Sequence, residues 1–146
     1  AMRDLHIRNE VQLKQINLAK YLNQYMGDKT NSTEEDILNM KQDFITMIDK
    51  VYDLLGKNAF KNLKKESENF ASKINPAIFD AISVATSYAI KTEYKFTEEN
   101  YLEKYKRLLK NEEFHLASSS RTTNIENIKT RIQIAAEFLY GVTYEW

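Results

Sequence analysis

The chain has 146 residues, of which 42% are hydrophobic and 29% charged. This length and composition are typical of one globular domain, and the composition excludes a disordered chain. Lysine plus arginine number 21, and so do aspartate plus glutamate, so no net charge directs the protein to nucleic acid or anionic lipid. There is no cysteine, which excludes disulfides, thiolate nucleophiles and cysteine-based zinc sites.

Ala1 precedes Met2, an order that natural initiation does not produce, so we interpret Ala1 as a remnant of cloning. The chain is therefore expected to be a single helical domain, residues 1–146, excised from a longer protein. The most apolar stretch, residues 77–90, is interrupted by Asp80 and by hydroxyl side chains. It is shorter than the roughly 20 residues of a membrane-spanning helix, so no membrane partner is predicted.

The hydrophobic period predicts an all-α fold, a bundle of about five long helices with short helices between them. The first long helix covers residues 5–26. The second has its apolar residues on one face: Ile37, Phe44, Ile48, Val51 and Leu55, with Met40 beside them.

Residues 57–74 follow this second helix and lack a clear period. A short helix, a small hairpin or an ordered loop would each fit, and we favour an irregular basic connection that holds Phe60 and Phe70 in the core. Five lysines and two glutamates give residues 57–73 a local charge of +3, whereas seven acids and three bases give residues 28–53 a charge of −4.

Three further helices complete the prediction. Asn75 and Pro76 provide a cap and a first-turn proline for a helix over residues 77–90, whose small uncharged residues place it at the centre of the bundle. Residues 101–109 form an amphipathic helix, and residues 125–139 carry the most regular apolar stripe of the chain. The aromatic tail that ends at Trp146 either folds back onto the bundle or marks the place where a partner docks.

The sequence contains no recognisable catalytic or metal-binding constellation. Glu112 and His115 have the Glu-x-x-His spacing of helical di-metal sites, but the second such pair is absent. No glycine-rich phosphate loop or Ser-His-Asp arrangement is present. We therefore predict no catalytic residue, no metal, no cofactor and no small-molecule substrate.

Basic side chains in two stretches are the candidate contacts to nucleic acid or phosphate. One stretch is the lysine-rich connection, where phenylalanines could also stack on bases. The other is the Ser/Thr-rich loop before the last helix, where free N–H groups and the helix dipole favour an anion. The candidates are Lys61, Lys64, Lys65, Arg121, Lys129 and Arg131.

Several stretches together resemble a known family: residues 55–61, residues 74–81, and residues 108–114 with the following Ser/Thr-Arg loop and Arg131-Ile132. They are similar to the helical C-terminal part of a bacterial family of unknown function whose N-terminal half is ParB/sulfiredoxin-like. Members of that family include the nucleotide-hydrolysing half of GmrSD-type modification-dependent restriction enzymes. Lys61 stands where family members often carry arginine, which keeps the charge but loses the planar fork.

The resemblance implies a bacterial, cytoplasmic accessory module in a restriction or anti-phage defence system. The family's catalytic motif, an Asp-Gly-Gln-Gln-Arg-like run of the N-terminal half, is absent here, so this fragment is predicted not to be an enzyme.

Two functions remain open at this point. The first is a non-catalytic accessory domain that contacts DNA, which requires the six basic candidates to converge on one surface. The second is a structural domain that docks on the N-terminal half of the parent protein or on a second copy. It predicts an exposed apolar patch of several hundred Å², at the N-terminal helix or at Trp146.

Overall fold

The computed structural model describes residues 17–97 and 100–146. Within them the chain forms six α-helices, a 3₁₀ turn and a two-stranded antiparallel sheet. In chain order these are α1 (Leu18–Asp28), α2 (Glu34–Leu55), the 3₁₀ turn (Gly56–Asn58), β1 (Lys61–Leu63), β2 (Phe70–Ile74), α3 (Pro76–Lys91), α4 (Tyr101–Lys110), α5 (Glu112–Ser119) and α6 (Ile125–Tyr140).

The prediction of a mostly helical domain is confirmed, but all-α with about five long helices is not the fold. The two strands are an addition, and of the six helices only α2, α3 and α6 have 16 residues or more. The predicted first helix over residues 5–26 is matched only by α1, which begins after the N-cap Asn17. The rest of that predicted helix, residues 5–16, lies outside the described residues.

Helix α3 lies at the centre of the core, as predicted. The Asn75 side chain accepts hydrogen bonds from the Ala77 and Ile78 N–H groups, at 2.9 and 3.3 Å, and Pro76 occupies the first turn without loss of a bond. The buried alanines of α3 let α6 and α2 pack close to the α3 backbone. Ala81, Ala85 and Ala89 have no exposed surface.

Helices α4, α5 and α6 complete the core around α3. Asn111 ends α4 and caps α5, because its side chain accepts a hydrogen bond from the Phe114 N–H at 2.9 Å. Gly141 ends α6 in the left-handed conformation (φ 63°). The tail then folds back onto the bundle, since Tyr144 is buried and its ring lies 4.7 Å from that of Tyr88.

Residues 57–74 complete the 3₁₀ turn and then form a hairpin from Lys61 to Ile74, which corrects the prediction of an irregular connection. Strands β1 and β2 pair antiparallel with an irregularity in register, and Lys61 lies opposite Ile74. Phe60 is buried at 4.7 Å from the Phe79 ring, and Phe70 stacks at 5.9 Å on Tyr105. These ring contacts confirm that both phenylalanines anchor the segment to the helices.

No helix in the described part of the chain is long and apolar enough to cross a membrane.

Candidate functional site

Helix α2 carries one apolar stripe along its whole length, but the described part of the chain buries only part of it. Towards the C-terminus, Met47, Val51 and Leu55 are buried in the core. Towards the N-terminus the same 3–4 spacing continues through Phe44, Met40 and Ile37. These three side chains are 53%, 39% and 53% exposed.

A second apolar row widens this exposed surface. Leu38 and Ile45 are seven residues apart on a neighbouring line of the helix and are 63% and 38% exposed, and the exposed Lys41 lies between the two rows. We call the five side chains together the α2 face: Ile37, Leu38, Met40, Phe44 and Ile45. Isolated exposed apolar residues are ordinary, whereas a contiguous set on one helix is typical of an interaction site.

The α2 face begins at a well-formed helix start, so its geometry is fixed locally. The Asp36 N–H donates to Thr33 Oγ1 at 3.1 Å, and the Thr33 N–H donates to Asp36 Oδ2 at 2.9 Å. This reciprocal capping box holds the first turn. The hydrogen bond from the Thr33 N–H, followed by that from its hydroxyl, lowers the pKa of Asp36, which stays negative at neutral pH.

Acidic side chains surround the α2 face. Residues 34–53 hold six acidic and two basic residues, a local charge of −4. Asp43 is 3.5 Å from Lys91 Nζ on α3, an exposed pair, and the Lys50 ammonium lies 4.9 Å from the centre of the Phe96 ring. The charge around the α2 face is therefore negative overall, although nearby lysines offset part of it.

Helix α1 also has exposed apolar side chains. It joins α2 through residues 29–33, and Leu22 and Met26, one turn apart, are both exposed. Tyr21, on another line of α1, packs against the core.

Three of the six basic candidates come together on the hairpin. Lys61 is half-buried in β1, whereas Lys64 and Lys65 are exposed in the turn. The turn borders an open groove of about 430 Å³. The groove also contains Glu66, Glu68, Lys110 and His115, and Glu68 pairs with Lys110, whose hydrogen bond lowers the pKa of that carboxyl. The acids largely balance the lysines there.

Arg121 and Lys129 belong to different elements from the hairpin lysines. Arg121 is exposed in the loop before α6, with a positive φ of 46°. Lys129 is half-buried on α6, and its ammonium lies 5.4 Å from the centre of the Trp146 ring. Lys129 is therefore in contact with the folded-back tail.

Arg131 corrects the prediction, because it is not at the surface. Its side chain is 3% exposed, and its guanidinium donates to Asp80 Oδ2 at 2.7 Å and to the Thr122 carbonyl at 2.8 Å. A weaker contact reaches the Ala117 carbonyl at 3.5 Å. Arg131 ties the loop before α6 to α3 and is not available to an external phosphate.

The buried phenols also have structural partners. Tyr105 donates to the Lys61 carbonyl at 2.7 Å, and Tyr140 lies 2.7 Å from the Thr86 hydroxyl. Burial raises the pKa of both phenols, so they stay neutral at physiological pH. Among the described residues, no group of three or more His, Asp or Glu side chains could hold a metal ion.

The sequence pattern contains part of the α2 face but does not show its role. Ile37, Met40 and Phe44 belong to the predicted apolar stripe of the second helix, whereas Leu38 and Ile45 are not part of that prediction. The signal that could have found the face is the spread of these apolar residues over about half the circumference of the helix at 100° per residue, with only Glu34 and Lys41 between them. A helix that packs on one neighbour through one stripe does not need so wide an arc.

Comparisons with protein-family models, with curated proteins and with solved structures found no match. The resemblance to the ParB/sulfiredoxin-like family stays a prediction from the sequence.

Proposed function

We propose that this domain is a non-catalytic docking module, which joins a larger assembly by binding a partner through the α2 face. The observation that carries the proposal is the exposure of five large apolar side chains between residues 37 and 45 of a helix whose later apolar residues Met47, Val51 and Leu55 are buried. Contact between a large apolar surface and water is unfavourable in free energy, and a partner that covers this surface would remove that cost. An exposed apolar face of this size therefore favours a binding role.

The sequence resemblance adds an expectation about context. It favours an assembly with a ParB/sulfiredoxin-like N-terminal half, in a bacterial restriction or anti-phage defence system. A second copy of the chain is the other partner that the sequence suggests.

Contact with DNA is less well supported by the geometry. Of the six basic candidates, Arg131 is buried in an ion pair, and Lys64 and Lys65 share their groove with two glutamates. DNA binding through Lys61, Lys64, Lys65, Arg121 and Lys129 stays a prediction from the sequence.

Photo-crosslinking tests the docking function even when the partner is unidentified. The photoreactive amino acid p-benzoylphenylalanine replaces Phe44 in the full-length protein, inside the cells that make it. The matched control places it at Asn39, which is exposed on the opposite side of the same helix.

We expect a discrete covalent adduct from position 44, identifiable by mass spectrometry, and none of comparable yield from position 39. The adduct should disappear when Ile37→Glu is added, because a charge in the apolar strip opposes docking. Equal adduct yields from both positions, or no adduct from position 44, would refute the docking function.

A further inference from the structure

The shape of the α2 face restricts the partner that it can bind. Residues 34–46 are all exposed and extend over about 20 Å at 1.5 Å per residue. Within the α2 face, the row formed by Ile37, Met40 and Phe44 is therefore long, and it continues the stripe with which Val51 and Leu55 enter the helical core. A further helix of three to four turns, laid along α2, would extend this packing and cover the strip.

The charge around the strip restricts the partner further. Asp36 and Asp43, seven residues apart, lie along one edge of the apolar arc, and Glu35 and Asp49 lie beyond the other edge. Asp43 has the exposed Lys91 as a neighbour, and Asp36 is held ionised by its capping box. A partner helix with basic residues on both sides of its apolar stripe would face these carboxylates.

A second copy of this chain is a poorer match for the same surface. In a symmetric dimer through the α2 face, the negative edges of the two helices would lie against each other. Like charges brought together across an interface oppose association.

From these observations we propose that the α2 face binds a basic amphipathic helix of three to four turns, with its apolar stripe on Ile37, Met40 and Phe44. This inference rests on the proposed docking function and specifies the chemistry of the partner. It assigns binding to the apolar strip and discrimination between partners to the acidic edges.

A pair of synthetic peptides tests the inference directly. The first is a fluorescein-labelled 15-residue peptide (about four turns) with leucines at helical spacing and lysines elsewhere; the second replaces every lysine with glutamate. Fluorescence anisotropy measures the affinity of each peptide for the full-length protein at physiological salt.

We expect the lysine peptide to bind at least about tenfold more tightly than the glutamate peptide. Phe44→Glu should weaken binding of the lysine peptide by at least about tenfold, as expected for the centre of an interface. The matched control is Phe138→Glu on α6, a phenylalanine that is also exposed, and it should leave the affinity unchanged. Equal affinities for the two peptides, or equal effects of the two variants, would overturn the inference.

Two further results would assign the face to another occupant and so also overturn it. Sedimentation of the protein as a dimer that Phe44→Glu dissociates would assign the face to a second copy. The absence of native cysteine permits a second check, in which Val11→Cys and Phe44→Cys are combined. An intramolecular disulfide in that variant would assign the face to the N-terminal residues of the same chain.

Failure of this inference and failure of the docking function are distinguishable. If neither peptide binds but position 44 still gives a specific photo-adduct, the docking function stands and the basic helix is the wrong partner. If position 44 gives no adduct, both are refuted.

Discussion

Asp80→Asn tests the structural role of the buried Arg131. The two residues are 51 positions apart, and their ion pair at 2.7 Å joins α6 to α3. Asparagine keeps the size of the side chain but removes the charge that balances the guanidinium. Breaking a buried ion pair from one side costs about 3–5 kcal/mol. Because the Asp80 side chain is 16% exposed and partly hydrated, we expect the lower end, about 3 kcal/mol.

That loss is large compared with the stability of a single domain, which is about 5–15 kcal/mol. Urea unfolding monitored by far-UV circular dichroism measures it as a lower midpoint with an unchanged slope. Glu103→Gln is the matched control, because Glu103 forms an ion pair with Lys106 at 2.8 Å that is largely exposed on its acidic side. Exposed pairs contribute about 0–1 kcal/mol, so this variant should change the midpoint little.

A double variant separates the charge from the packing. Asp80→Leu combined with Arg131→Met removes both charges and should recover much of the stability lost by Asp80→Asn, since apolar replacements of a buried pair are often neutral. The incomplete satisfaction of Arg131 favours this outcome, because Nε finds no hydrogen-bond partner among the described residues. If Asp80→Asn lowers the free energy of unfolding no more than Glu103→Gln does, the assignment of a structural role to Arg131 is wrong.

Three other substitutions give contrasting outcomes. Phe44→Glu should change the free energy of unfolding by no more than about 0.5 kcal/mol, because Phe44 is 53% exposed. Val51→Ala, on the buried part of the same stripe, should lower the free energy of unfolding by about 2 kcal/mol. Comparable losses for the two variants in urea unfolding would show that the α2 face is part of the core. Tyr105→Phe should cost about 1 kcal/mol by removing the hydrogen bond to the hairpin. Burial raises the folded-state pKa of the Tyr105 phenol. The stability that the phenol provides is therefore complete below its unfolded pKa of about 10 and falls as the pH rises above that value. The phenylalanine variant should lose less stability in alkali than the parent, and an identical alkaline profile would contradict this. Asp36→Asn should flatten the acid limb of the stability profile, because the folded-state pKa of Asp36 is lowered. The stability that Asp36 contributes is present above its unfolded pKa of about 4 and is lost as the pH falls through the folded value. Parallel acid limbs for the variant and the parent would contradict the role of the capping box.

Local chemistry made parts of the fold predictable. Asn75 and Pro76 specify a helix start within three residues, and Gly141 specifies a left-handed helix end, so both boundaries follow from neighbouring residues. The central position of α3 also followed from its sequence, because small uncharged side chains permit close packing on several sides. The two helix boundaries do not depend on distant residues.

The hairpin was not predictable in the same way. Strand β1 has only three residues, too few to show an alternating pattern, and Phe60 precedes it with a positive φ of 63° that is unusual for phenylalanine. The segment is held by contacts to distant helices, such as the stacking of Phe70 on Tyr105 and the hydrogen bond from Tyr105 to the Lys61 carbonyl. These contacts form only after the helices have assembled.

The candidate site was predictable only in part for the same reason, because some of its properties depend on contacts with distant residues. The sequence alone determined that Ile37, Phe44 and Val51 share one face of α2, because the 3.6-residue period is a local property of the helix. The burial of Val51 and the exposure of Phe44 follow from the assembled fold, since burial depends on where other helices end. Likewise, the sequence determined that Arg131 is charged, but the position of Asp80, 51 residues away, decided that this charge is internal.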